Sequence, residues 1–263
     1  MKALERDIGC RVLRKAGKMV TLTEAGEALL VRAKKIVTEM QLARDELEHL
    51  GQWGRGHLRL GASTTACQHL IPAVLREFKE SYPQCVITIQ PGDGPATLDA
   101  LRANQIDLAI SLQPKHEPQF DFRPLFTDEL QFIVSPLHPW VKGGKAIRAE
   151  IPRQNFILYD KTSFTFQMID RYFAADHVAL RSEIELGSME AIKELVKAGL
   201  GVSILAPWIA RNELAERSLV ALPLGKRKLR RHWGIVHWKN RRLSLPEETF
   251  ANLCKSVAET FVR

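Results

Sequence analysis

Hydroxyl side chains recur where short apolar runs give way to helix-like periodicity. Ser63, Thr64 and Thr65 follow HLRLGA, and Lys161, Thr162 and Ser163 follow the run ending in FILYD. Gly187 and Ser188 close SEIELG. Ser111 lies at the end of IDLAISL, and Ser135 stands where the chain passes into its second half. A helix N-terminus carries unbonded N–H groups and the positive end of the dipole, so such turns suit a polar or anionic ligand. Each Ser or Thr can equally be the N-cap of its own helix. Their recurrence at corresponding turns of both halves points to one shared pocket. No carboxylate is evident beside them.

Signals for catalysis are missing. The chain has no G-x-S-x-G, G-x-x-x-x-G-K-[ST], H-E-x-x-H or G-x-G-x-x-G, so neither a nucleophile elbow nor a nucleotide loop is indicated. PGDGPAT follows a strand but lacks phosphate-loop spacing; it reads as a turn able to touch a ligand. Cys67 sits in a first helical turn, where a dipole can lower a thiol pKa, yet no partner base is visible. His69, His138 and His237 are isolated. The cysteines at 10, 67, 85 and 254 form no C-x-x-C pair, so no zinc site is read. The expectation is a protein that is not an enzyme, with no cofactor and no metal.

The elements that must place these turns are legible from period. From Thr21 a Pro-free run extends to Leu50, with Thr23 as N-cap. Leu22, Leu29, Ile36, Ala43 and Leu50 recur at every seventh position, and Gly26, Ala33, Met40 and Leu47 follow four later. That narrow seam predicts a helix packed on a partner helix. GQWGRG, residues 51–56, then reads as a hinge. Beyond it strands and helices alternate: HLRLGA, a helix from Ser63 to Tyr82, CVITIQPG, ATLDALRANQ, IDLAISL, then two strands in FRPLFTDELQFIVSP. A second series follows Pro136 and closes on an amphipathic helix. This is an α/β pattern with βαβ units in two lobes.

The formal net charge is +8 over 263 residues, which suits either an anionic partner or simple solubility. Scattered thiols, a charged N-terminus and the lack of a spanning apolar stretch predict a cytoplasmic protein with no membrane partner. Basic residues cluster twice. RVLRKAGKMV reads as a basic hairpin, and KRKLRR, residues 226–231, as a solvated loop.

The segment ALERDIGCRVLRKAGKMVTLTEAGEALL resembles the back part of the DNA-binding domain of LysR-type transcriptional regulators. The matches are Leu4, Glu5, Gly9, Lys18, Leu22, Thr23, Ala25 and Gly26, with Val12 and Leu13 at the apolar pair. AGLGVS, residues 198–203, resembles the family's second effector lobe. The resemblance implies a residual winged-helix segment (1–21), a dimerising linker helix and hinge (22–56), and a two-lobed effector domain like a periplasmic binding protein (57–263). Lobe 1 would take about 57–135 and 232–263, and lobe 2 about 136–231.

By position, the resemblance implies that Ser63, Thr64, Thr65, Ser111, Ser135, Tyr159, Thr162, Gly187, Ser188 and Met189 line the effector pocket. Arg11, Arg14, Lys15 and Lys18 would form the wing beside DNA, with Lys2 and Arg6 also meeting phosphates. The family's first helices do not precede Met1 in this sequence, so the expectation is weak DNA binding with little sequence choice. The implied partners are a small-molecule effector, DNA, and a second copy in a homodimer or homotetramer. A solute receptor without DNA function is the alternative reading.

Overall fold

The computed structural model describes residues 1–16, 19–48 and 56–259. The N-terminal part is small. Helix α1 (Lys2–Ile8) ends on Gly9, whose φ of 76° is the left-handed cap that glycine favours. Strands β1 (Leu13–Ala16) and β2 (Met19–Leu22) pair antiparallel, with Leu13 opposite Leu22. The Glu5 carboxylate accepts from the backbone N–H of Val12 and Leu13 at 2.9 and 3.1 Å, tying helix to hairpin.

Helix α2 (Glu24–Glu48) follows. Thr23 caps it by accepting from the Gly26 N–H at 3.0 Å. Gly26 is required by close approach: a Cβ there would lie 2.0 Å from the Val12 carbonyl oxygen. Leu30, Val31, Ile36, Val37 and Met40 on this helix are exposed. Lys18, Leu50 and the hinge residues 51–55 lie outside the described residues. So do the side chains of Ala43 and Leu47.

The remaining chain is α/β. Strand β3 (His57–Ala62), helices α3 (Thr64–His69) and α4 (Ile71–Ser81), β4 (Val86–Pro91), α5 (Gly94–Arg102) and β5 (Leu108–Leu112) form two parallel crossovers. One helix was expected from Ser63 to Tyr82. The chain breaks it at Leu70, and Pro72 stands in the first turn of α4, where a missing N–H costs nothing. Elements β6 (Phe120–Val134), β7 (Asn155–Leu158), α6 (Phe164–Ala174), β8 (Arg181–Glu185), α7 (Met189–Lys197), β9 (Ser203–Leu205), α8 (Arg211–Ala215), β10 (Val220–Pro223), β11 (Leu229–Trp238) and α9 (Leu245–Ala258) complete it.

Strand order is β10-β6-β11-β5-β3-β4, with β9 also on β6 and β7 parallel to β8. FRPLFTDELQFIVSP, expected as two strands, is a single one. β6 pairs with β11 along its length, through a register shift between Trp233 and Gly234. Such a bulge bends the ladder; it lies within the core that takes both Trp233 and Ile235, and two cores divide the apolar residues of these strands. Leu130, Phe132, Ile133 and Val134 pack with Phe156, Ile157, Ile169, Ile192 and Ile204. Leu125, Phe126 and Trp233 pack instead with Leu58, Leu60, Val74, Phe78 and Phe250. On β6 the change of core falls between Phe126 and Leu130, ahead of the 135–136 of the sequence reading, and on β11 it falls between Leu229 and Trp233, the stretch that contains 231–232. No described helix is long and apolar enough to cross a membrane.

Candidate ligand-binding site

A narrow cavity of about 30 Å³ opens between the two cores, room for about two waters. One wall carries Ser63, Thr65, Asp93, Gly94, Ser111, Leu112 and Trp233. The other carries Tyr159, Ser163, Phe164, Thr165 and Arg231. The sequence puts them there for local reasons. Ser63 ends β3 and caps α3, accepting from the Ala66 N–H at 3.2 Å. Ser163 caps α6 through the Phe166 N–H at 3.1 Å. Asp93 is the residue before α5, though its carboxylate makes no capping bond. Helix N-termini thus face the cavity from both walls, and their first N–H groups lack intrahelical partners.

Arg231 is the cation of the lining, with a side chain only 2% exposed. It donates from Nε and Nη2 to the two Asp128 carboxylate oxygens at 2.9 and 2.5 Å, and from Nη1 to Thr165 Oγ1 at 2.9 Å. Asp128 Oδ2 also accepts from the indole N–H groups of Trp208 and Trp233, at 2.8 and 3.0 Å. Burial opposes the Arg231 charge, and the Asp128 carboxylate outweighs it, so its pKa lies above the ordinary arginine value. The Tyr159 hydroxyl is buried and makes no hydrogen bond of ordinary geometry, although the Arg231 guanidinium lies near enough to act on it. Its pKa is pushed up to about 12, mainly by burial.

The Asp93 carboxyl is held above its usual range by burial first and by the Asp160 charge second. A carboxylate in this cavity was not expected from the sequence. Phe164 closes the rim. Its ring lies so near Gly94 that a Cβ on Gly94 would stand 2.1 Å from Phe164 Cδ2. Glycine at 94 is what lets the two walls meet.

Of the ten sequence candidates, Ser63, Thr65, Ser111 and Tyr159 line this cavity. Thr64 is exposed and does not line it. Thr162 is exposed and bonded to Asp160, its Oγ1 donating to Oδ1 at 2.7 Å. Ser188 caps α7 through the Ala191 N–H at 3.4 Å, Gly187 is exposed beside it, and Met189 is buried in its own core. Ser135 lines a separate surface hollow with His138, Asn155 and Lys197.

Arg231 was missed because the charge run KRKLRR was read as a solvated loop, although its last two residues open RRHWGIVHW, the strand pattern that carries Trp233. The run instead enters β11, where Leu229, Arg231 and Trp233 are buried and Arg230 and His232 exposed. The period-2 alternation was the available signal. PGDGPAT does reach the cavity, through Asp93 and Gly94.

Lys2, Arg6, Arg11, Arg14 and Lys15 are all exposed on the N-terminal part. Arg14 Nε donates to Thr21 Oγ1 at 3.2 Å across the hairpin. Burial raises the Cys67 thiol pKa, the opposite of the shift that activates a thiol. Among the described residues no group of three or more His, Cys, Asp or Glu side chains could hold a metal ion.

The family model described as LysR substrate binding domain matches residues 52–259. The HTH-type transcriptional activator CmpR of Synechocystis sp. is 30% identical over 250 residues, 95% of this chain and 82% of that protein. The Synechocystis PCC6803 CcmR regulatory domain, solved in complex with 2-PG, superposes with a TM-score of 0.71 at 27% identity. It covers 78% of this chain and 98% of its own. A full-length OxyR variant from Pseudomonas aeruginosa shares the fold with a TM-score of 0.72 at 22% identity, over 98% of this chain and 83% of its own.

Proposed function

This chain belongs to the LysR family of ligand-responsive transcriptional regulators, and from that premise we propose that its effector is a small polar anion held between the lobes. The carrying observation is the narrow cavity where hydroxyls and helix N-termini of both walls converge on the buried Tyr159 hydroxyl, which makes no hydrogen bond of ordinary geometry. Buried polar groups left without partners are unfavourable, so a ligand that supplies them stabilises the closed arrangement. The 2-PG bound by the CcmR domain supports a small-molecule ligand for this type of domain.

Ser63, Thr65, Ser111 and Tyr159 are the effector contacts retained from the sequence reading. Residues 57–259 hold the effector, α2 pairs with the same helix of a second copy, and the basic residues around β1 and β2 meet DNA phosphates. The exposed Ile36, Val37 and Met40 support that pairing, since apolar side chains on a helix surface call for a partner. The molecule works in the cytoplasm as a homodimer or homotetramer and carries out no chemistry on its ligand. Membership of a regulator family leaves nothing to favour a solute receptor.

A thermal-shift screen of small carboxylates, amino acids and aromatic acids identifies binders. Thr65→Val, which keeps shape and removes the hydroxyl, should then weaken the best binder about 3- to 10-fold. Equal affinity in calorimetry would place the ligand elsewhere.

A further inference from the structure

We propose that Asp93 makes the cleft selective for a carboxylate that bears a hydrogen-bond donor on the adjacent carbon, an α-hydroxy or α-amino acid, over a plain carboxylate. This rests on the cleft being the effector site. The charges of the lining carry the inference. Its cation, Arg231, has two donor groups on Asp128 and a third on Thr165. That pair is internally neutral. Asp93 has no such compensation: among the described residues no Lys or Arg ion-pairs with it, and the nearby charge that acts on it is another carboxylate, Asp160.

The cavity therefore offers one carboxylate acceptor, Asp93, among hydroxyl and N–H groups; the hydroxyls of Ser63 and Thr165 already accept from the Ala66 N–H and from Arg231, which leaves their O–H groups to donate. The donors are the Tyr159 hydroxyl, which is buried and makes no hydrogen bond of ordinary geometry, the hydroxyls of Ser63, Thr65, Ser111 and Thr165, and the first N–H groups of α6. A ligand carboxylate suits the donors. Alone, it would leave Asp93 facing a like charge with no donor to bind.

A hydroxyl or ammonium one carbon away repairs that mismatch. The spacing follows from size: a cavity of about 30 Å³ must widen to admit even the smallest such acid, and two functions set further apart would demand a wider opening still. A site built around a polar contact rejects the analogue that lacks it far more strongly than an apolar pocket rejects a missing methylene. Asp93 is partly exposed, so a discrimination of about 10- to 100-fold is expected, below the limit for a fully buried contact.

The test uses the whole chain and three matched probes: glycolate, glycine and acetate, titrated by calorimetry or by NMR shift. The wild type should bind glycolate or glycine at least about tenfold tighter than acetate. Asp93→Asn should bring the three within about threefold, with glycine losing most because its ammonium loses a counter-charge. A circular-dichroism melt of Asp93→Asn and of Asp93→Glu confirms that both fold. Acetate binding as tightly as glycolate and glycine, an unchanged ratio in Asp93→Asn, or no binding of any probe overturns the proposal. Thr65→Val separates this from failure of the cleft itself. If Thr65→Val weakens the probes but Asp93→Asn keeps the ratio, only the role of Asp93 fails. If Thr65→Val has no effect on a probe that binds, the cleft assignment fails with it.

Discussion

Asp128→Asn isolates the contact that joins the two walls. Asp128 and Arg231 are 3% and 2% exposed, with Nη2 and Oδ2 2.5 Å apart. The substitution keeps the shape but leaves the Arg231 charge buried without a counter-ion, and one acceptor oxygen must serve donors that two had served. Removing one partner of a buried pair destabilises by about 3–5 kcal/mol. Against a typical total of about 5–15 kcal/mol, that is a large fraction. At about 2–4 °C per kcal/mol for domains of this size, the melting temperature should fall by about 6–20 °C.

The assay is a thermal melt followed by circular dichroism at neutral pH, with Arg231→Met and the double variant Asp128→Leu/Arg231→Met alongside. The double variant should be more stable than Asp128→Asn, because it removes the charge along with its partner. It should still fall short of wild type, since the Trp208 and Trp233 indoles lose their acceptor. A melting temperature for Asp128→Asn within about 2 °C of wild type, or a double variant no better than the single, would refute the reasoning.

Three further outcomes are expected. Ile36→Glu places a charge in the proposed α2 pairing seam, where Ile36 is exposed in the single chain; sedimentation should show loss of dimer, and an unchanged mass would count against the seam. Gly94→Ala drives a Cβ into Phe164 and should prop the cleft open, lowering effector affinity about tenfold; Gly94→Ala/Phe164→Ala should restore it, and a silent single variant would show that the rim contact does not matter. His69 packs edge-on against Trp208 at 5.5 Å. Its pKa is depressed by burial first and Lys193 second, against Glu190 and Glu213. The unfolded chain therefore binds a proton that the folded one resists. Stability is fully present above the ordinary imidazole value of about 6.5 and is lost as pH falls below it. Urea midpoints at several pH values should show that loss, and His69→Gln should flatten it; an equal slope in both proteins would sink the assignment.

Sequence period located most elements, because burial on one face writes itself into spacing. The alternation of HLRLGA and the run IDLAISL appear as β3 and β5, and the uninterrupted helix formers after Thr23 as α2. Length and continuity were harder. Nothing local distinguishes one strand of fifteen residues from two short ones, since the long strand is held by β11 from far along the chain.

The N-terminal motif, the α/β alternation and the hydroxyls at strand ends belong to the sequence by itself, and they were enough to indicate a regulator with a ligand-sensing domain. Which hydroxyls share a cavity was decided only in three dimensions. Thr64 and Thr65 are neighbours of the same type, yet the helical rotation of about 100° per residue exposes Thr64 and buries Thr65. Arg231 looked like part of a basic run because its counter-charge, Asp128, lies 103 residues away in sequence. Asp93 became a site residue only when α5 and α6 brought Gly94 against Phe164. Contacts between distant segments set desolvation, and desolvation is what turns an ordinary carboxylate or tyrosine into a group that needs a ligand.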